Sequence, residues 1–249
     1  MEVALRVLRS QAALMKRMET EPSKDDADAA AWEAGCKADL IRNQTIIPFI
    51  VQQFAKHRPQ RVLDVGTGTG YVPRAVDPEL AYRPNWTLVD INPARIALAK
   101  ALQPAGMLSE AVSKDAITSL RTMGSFDAAL LTFTLLEVRA FDTLLNEISK
   151  VIVSGGLLIV ALPDVWADAL GVDDNLGAAR ALLSGEVEIS KTDKFTGTTY
   201  PFYARRVEQI ISTVLDLGFY LSSLKFGGPQ GEVFLLVFRR TKNQANRHA

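Results

Sequence analysis

A doubly wound α/β fold, seven mostly parallel strands with helices on both faces, is the architecture that this sequence predicts. Three observations predict it. The 249 residues are 48% hydrophobic, enough for one sizeable buried core. From Arg61 onward, short apolar runs bounded by glycine, proline or aspartate alternate with longer helical stretches, the signature of βαβ units in a parallel sheet. The first of those runs passes directly into a glycine-rich turn, VLDVGTGTGY at residues 62–71.

Each element has its own sequence signal. Leu8, Ala12 and Met15 share one face of an amphipathic helix near the N-terminus, suited to packing on the body or on a second subunit, so a homodimer is among the expected states. Ser23 and Asp26 have capping-box spacing, and a second helix is expected to run from there through Trp32 toward Asp39. A third carries the apolar positions Ile46 to Phe54 and ends at the polar HRPQ. Strands are predicted at residues 61–65, 86–91, 107–112, 126–133 and 156–162, with helices near 72–76, 93–102 and 141–152. A helix over 205–217 and strands at 219–226 and 232–239 complete seven strands. Residues 164–204 are too long for an ordinary connection. They contain a helical segment near 175–183 and the run TGTTYPFY, and are expected to form a lid over a substrate. The predicted organisation is a single domain: N-terminal helical cover (1–56), ligand-binding core (61–163), lid (164–204), core completion (205–240) and a solvated tail (241–249).

Composition narrows the function. Lysine plus arginine (28) balances aspartate plus glutamate (28), so no overall positive field holds a polyanion and nucleic acid is not expected as a partner. The single cysteine, Cys36, forms neither an internal disulfide nor a multi-cysteine metal site; no metal is expected, and a reducing, cytoplasmic location is. The N-terminal segment lacks the uninterrupted apolar core of a signal peptide or a membrane span, so no membrane partner is expected.

The glycine loop discriminates between ligands. Glycines at alternate positions, Gly66, Gly68 and Gly70, let the chain turn sharply and bring backbone N–H groups close to a ligand. A nicotinamide fingerprint places its last glycine where this chain has Tyr71, and a P-loop requires a Gly-Lys-Ser/Thr that is missing. What remains is G-x-G-x-G preceded by Asp64.

VLDVGTGTG resembles the first motif of class I S-adenosylmethionine-dependent methyltransferases of the small-molecule type. The resemblance covers residues 60–165 best and implies a Rossmann-like methyltransferase fold, S-adenosylmethionine as cofactor, and methyl transfer to an O, N or C atom of a small-molecule acceptor. It carries Gly66, Thr67, Gly68 and Gly70 over as contacts of the cofactor's methionine end. Asp64 would orient the loop or the cofactor's amino group, or else cap loop N–H groups. In LVDIN, Asp90 would accept both ribose hydroxyls and Ile91 would pack on adenine. Asp115 and Ala116 fall where the family meets the adenine edge, although Asp115 also reads as a plain helix cap. Thr132, Phe133 and Thr134 end the strand that delivers the chain to the methyl group.

Beyond that strand many small-molecule members carry histidine, whereas this chain has Leu136 and Glu137. Glu137 is thus the best-placed candidate for catalytic base or substrate anchor, or a solvent-facing glutamate at a helix start. Trp32, Tyr200, Tyr203 and Arg205 are candidate substrate contacts, with packing as the alternative role. Two other readings stay open: a non-catalytic S-adenosylmethionine-binding accessory protein, and a protein or RNA methyltransferase.

Overall fold

The computed structural model describes residues 24–104, 106–164, 187–192, 196–197, 199–229 and 232–242. In chain order its elements are α1 (Lys24–Ala38), α2 (Ile47–His57), β1 (Arg61–Val65), α3 (Tyr71–Val76), β2 (Asn85–Asp90), α4 (Pro93–Leu102), β3 (Leu108–Ser113), α5 (Ala116–Leu120), β4 (Phe126–Thr132), α6 (Phe141–Val151) and β5 (Ile152–Pro163). Then come β6 (Val187–Thr192), β7 (Thr199–Ala204), α7 (Val207–Asp216), β8 (Phe219–Gly227) and β9 (Val233–Arg240). A π-helical turn, Arg42–Ile46, leads into α2.

Seven strands form one sheet in the order β3-β2-β1-β4-β5-β9-β8. Pairings from β3 through β5 are parallel, and β9 pairs antiparallel with both β5 and β8. The order reverses direction at β1, which places a ligand crevice beyond the C-terminal ends of β1 and β4.

Alternation along the central strands builds a core on each face. Leu63, Val65, Ala129 and Leu131 point to one side and meet Leu144, Leu145 and Ile148 of α6 and Ile210 and Val214 of α7. Val62, Ala128 and Leu130 point to the other and meet Ile47, Ile50 and Phe54 of α2, Val76 of α3 and Ala99 of α4. Each large side chain so buried contributes about 1.5–3 kcal/mol.

Most expected elements form, with shifted ends. The capping residue expected for α1, Ser23, the N-terminal amphipathic segment, the helical segment near 175–183 and the tail from 243 onward lie outside the described residues. β5 begins at Ile152 rather than Gly156: its register slips between Phe126–Ile152 and Ala128–Leu157, so the residues between, including Gly155 at φ +78°, form an irregularity inside the strand instead of a break before it. The expected lid contains a second, two-stranded antiparallel sheet, in which Val187 pairs with Ala204 and Thr192 with Thr199. The run TGTTYPFY supplies its β7, a strand that the sequence reading did not assign. No helix among the described residues is long and apolar enough to cross a membrane.

Candidate active site

A cavity of about 590 Å³ opens at the C-terminal edge of the sheet, between the glycine loop, the ends of β2 and β4, and the inner face of α1. Its floor starts where β1 ends. Gly66, Gly68 and Gly70 all have positive φ (68°, 58° and 69°), a region that side-chain-bearing residues enter only at a cost. Space adds a second reason at all three, Gly70 being closed by the Gln103 side chain. A Cβ on Gly66 would sit 2.4 Å from Thr134 Oγ1, and one on Gly68 2.5 Å from Trp32 Nε1. Gly66 N and Thr67 N donate to the Val89 carbonyl at 2.8 and 3.1 Å, which stitches the loop to β2.

Only part of the loop reaches the cavity wall. Gly66 and Thr67 line it. Gly68 lies beneath Trp32 and Gly70 against Gln103, so the structure does not bring these two glycines to the wall with the others. Asp64 also faces the cavity and is fully buried, accepting the Thr67 hydroxyl at 2.6 Å. Burial pushes its carboxyl up to about 7, the Asp90 charge adds to the rise, and the Thr67 bond and the Arg42 charge oppose it. Of the roles expected for Asp64, the contact present is a loop-internal one, to a side-chain hydroxyl and not to loop N–H groups.

Asp90 ends β2 as a buried carboxylate on the cavity wall. Its Oδ2 accepts Gly68 N at 2.7 Å and its Oδ1 accepts Asn92 N at 2.9 Å. Each oxygen keeps lone-pair capacity beyond that one bond, the arrangement a pair of ribose hydroxyls needs. Ile91, next in the chain, is 74% exposed at the cavity rim, where a flat heterocycle can cover it. Across the opening, Asp115 and Ala116 line the wall. Asp115 does cap a helix, its Oδ2 accepting Thr118 N at 2.8 Å. Capping and a place on the wall therefore coexist in one residue.

β4 delivers Thr132, Phe133 and Thr134 to the cavity. Phe133 has φ +63°, an unusual backbone for an aromatic residue, and its N–H donates to the Ala161 carbonyl at 2.9 Å. Thr134 turns its hydroxyl back onto the Val65 carbonyl at 2.7 Å, locking the end of β4 to that of β1. Glu137 follows a single 3-10 turn and is exposed on the cavity wall.

Helix α1 roofs the loop. Trp32 lies over Gly68, and the Arg95 guanidinium lies 4.0 Å above the indole ring while pairing with Asp28 at 3.4 Å. One residue along, buried Glu33 accepts the Thr69 hydroxyl at 2.5 Å and pairs with Arg74 at 2.7 Å. Burial alone would raise the Glu33 carboxyl, but these partners outweigh it and hold it below its usual range. Sequence reasoning missed Asp28, Arg42 and Arg95 on this wall. No motif marks them; they meet only because α1 folds back over the loop.

The four candidate substrate contacts separate. Trp32 and Tyr203 line the cavity. Tyr200 belongs to the small sheet, where it pairs with Lys191; its side chain lies outside the described residues. Arg205 requires a correction: it is 2% exposed and does not line the cavity. Its guanidinium donates to the Leu135 carbonyl, and to the Arg139 carbonyl at 2.9 Å, while lying 4.4 Å from the Phe141 ring centre. A buried cation spent on backbone carbonyls shapes the turn after β4 instead of meeting a ligand.

Residues 63–160 match the family model described as a methyltransferase domain. That segment is a methyltransferase domain. Solved structures with this fold include an S-adenosylmethionine-dependent methyltransferase from Clostridium acetobutylicum (13% identity, 82% of this chain and 94% of that one, TM-score 0.58). A protein from Listeria monocytogenes described as an S-adenosylmethionine-dependent methyltransferase is similar too (17% identity, 79% and 98%, TM-score 0.57). So is the magnesium protoporphyrin IX methyltransferase of Synechocystis with bound S-adenosylhomocysteine (12% identity, 80% and 83%, TM-score 0.57). No curated protein sequence matches the chain. The wall suits a cofactor such as S-adenosylmethionine: a carboxylate with open acceptor capacity at Asp90, an uncovered apolar residue at Ile91, and a loop backbone kept open by Gly66.

Proposed function

We propose that this methyltransferase transfers the methyl group to an O, N or C atom of a small molecule held in the same cavity. The observation that carries the reading is the cavity itself. About 590 Å³ lies within the usual range for small-ligand sites, roughly 300–1,000 Å³. It must receive cofactor and acceptor together, so the share left for an acceptor suits a small molecule better than a protein segment or a nucleotide splayed from RNA. The far wall, Glu137 to Ala140 with Thr196, Pro201 and Tyr203 of the small sheet, is where the acceptor would lie, and residues 164–204 would act as its lid.

S-adenosylmethionine, when bound, supplies a methyl group on a positively charged sulfur. The protein's residues then have three tasks. Asp90 takes the ribose hydroxyls, with Ile91, Asp115 and Ala116 around the adenine. Gly66, Thr67 and Asp64 face the methionine end, and Thr132 and Phe133 face the centre of the cavity. Because charge disappears during transfer, alignment and exclusion of water do most of the work. Trp32 and Tyr203 contribute aromatic walls for that purpose. In our reading Glu137 takes a proton from a hydroxyl or ammonium acceptor, or anchors it by charge. The lone buried thiol of Cys36 supports a reducing, cytoplasmic setting. We also propose the homodimer suggested by the apolar stripe of residues 8–15.

A transfer assay with methyl-labelled cofactor across phenols, amines and carbon acids tests the proposal. Label transfer to one of these classes, lost in Glu137→Gln for a hydroxyl acceptor, supports it. Transfer only to protein or RNA fractions contradicts it.

A further inference from the structure

We infer that the methyltransferase has a second binding site, for a small oxyanion of the phosphate type, at the opposite edge of the sheet. A separate cavity of about 260 Å³ lies where α2 ends, β4 begins and β9 passes β5. This is the N-terminal edge of the parallel strands, away from the cofactor crevice. His57, Arg58 and Arg239 line it together with the turn Ser154 to Gly156.

Two of those side chains hold buried polar atoms that nothing among the described residues satisfies. His57 Nε2 and Arg239 Nε have no hydrogen-bond partner there, although buried polar atoms are paired as a rule. Arg239 is held in place, since its terminal nitrogen donates to the Gly155 carbonyl at 3.1 Å. Asp127 is the one carboxylate on this wall among the described residues, and its Oδ2 already accepts the backbone N–H groups of Gln60 and Arg61, both at 2.9 Å. Arg58, in a left-handed backbone at φ +51°, places its guanidinium 5.2 Å from the Tyr82 ring centre and adds charge from the rim.

The groups facing His57 are thus Lys56 and Arg58 from its own segment, Arg239 from β9 and Asp127 from β4. Burial, then Arg239 and Lys56, hold the imidazole below its usual range. An anion seated among these groups reverses that balance: it accepts from Arg239 and from the protonated ring at once. Its binding therefore strengthens as pH falls through the His57 titration. A cation meets Arg58 and Arg239 on the same walls, and a neutral acceptor gains the hydrogen bonds without the charge attraction.

The chain has only two histidines, His57 and His248, so ring NMR signals read the site with an internal control. The signals are assigned with His57→Gln and titrated from pH 5 to 8.5 in inorganic phosphate, in glucose 6-phosphate, and in sodium chloride of matched ionic strength. The inference predicts that phosphate raises the His57 pKa by about one unit over chloride, equivalent to a tenfold preference for the protonated ring, and leaves His248 unmoved. Arg239→Gln, which keeps an amide N–H for the Gly155 carbonyl, should abolish the rise. The same rise with glucose 6-phosphate assigns the site to a phosphate carried on a larger molecule, and a rise with inorganic phosphate alone assigns it to the free ion. Equal His57 titrations in phosphate, glucose 6-phosphate and chloride would overturn the inference and leave water as the partner of both buried nitrogens.

Discussion

Asp90 accepts the backbone N–H of Gly68 at 2.7 Å, so the end of β2 shapes the loop that follows β1. The carboxylate proposed to take the ribose hydroxyls and the glycine loop are therefore one mechanical unit, and a substitution at either is felt at both. Asp90→Asn keeps the size but replaces one acceptor oxygen with a donor. We expect faster amide exchange at Gly68 in that variant and a loss of S-adenosylhomocysteine affinity of about 10–100-fold, the worth of one or two charge-assisted bonds. Unchanged exchange at Gly68 would show that the two parts are not coupled.

Gly66 carries both strain and contact. Gly66→Ala would push a Cβ to 2.4 Å from Thr134 Oγ1 at φ +68°, for an expected loss of about 2–4 kcal/mol in urea unfolding. Adding Thr134→Ala removes the collision but also the hydroxyl bond to Val65. The double variant should lose less than the sum of the two singles, and strict additivity would contradict the contact.

Asp64 gives stability a definite pH dependence. Its folded-state pKa of about 7 lies above the ordinary 3.8, so the folded protein holds the proton more tightly than the unfolded chain does. The stability contributed by this group falls as pH climbs from about 4 to about 7, then levels off. Asp64→Asn should remove that slope. Unfolding free energies of both proteins at pH 5 and pH 8 check it: the difference should shift in favour of the variant at pH 8, and an unchanged difference would refute the assignment.

Arg205 separates structure from substrate binding. Arg205→Met leaves the Leu135 and Arg139 carbonyls without their donor, and we expect a loss of about 2–4 kcal/mol in stability. S-adenosylhomocysteine affinity should stay within about threefold. Full stability combined with lost acceptor binding would restore Arg205 to the substrate site.

The course of the chain was legible wherever a local pattern decided it. α4 runs from Pro93 to Leu102 as predicted because Asn92 caps it through Ala94 and Arg95 and the proline sits at its first turn. Asp90 and Phe133 reach the cavity because strand ends in an open α/β sheet must. Legibility failed where tertiary contacts decided the outcome. Arg205 follows an aromatic run that looks like a ligand cradle, yet its role depends on carbonyls 66 and 70 residues earlier in the chain. Gly68 and Trp32 lie far apart in sequence, so no local signal could reveal that α1 covers the middle of the glycine loop. β7 was hidden because glycine and threonine dominate the run that leads into it, and its pairing with β6 spans the lid.

The most direct test of the cofactor site is calorimetric titration of the unsubstituted protein and Asp90→Ala with S-adenosylhomocysteine, beside NADH. We expect S-adenosylhomocysteine to bind the unsubstituted protein, Asp90→Ala to bind it at least tenfold more weakly, and NADH to bind neither. Binding of NADH, or equal S-adenosylhomocysteine affinity in both proteins, would contradict this.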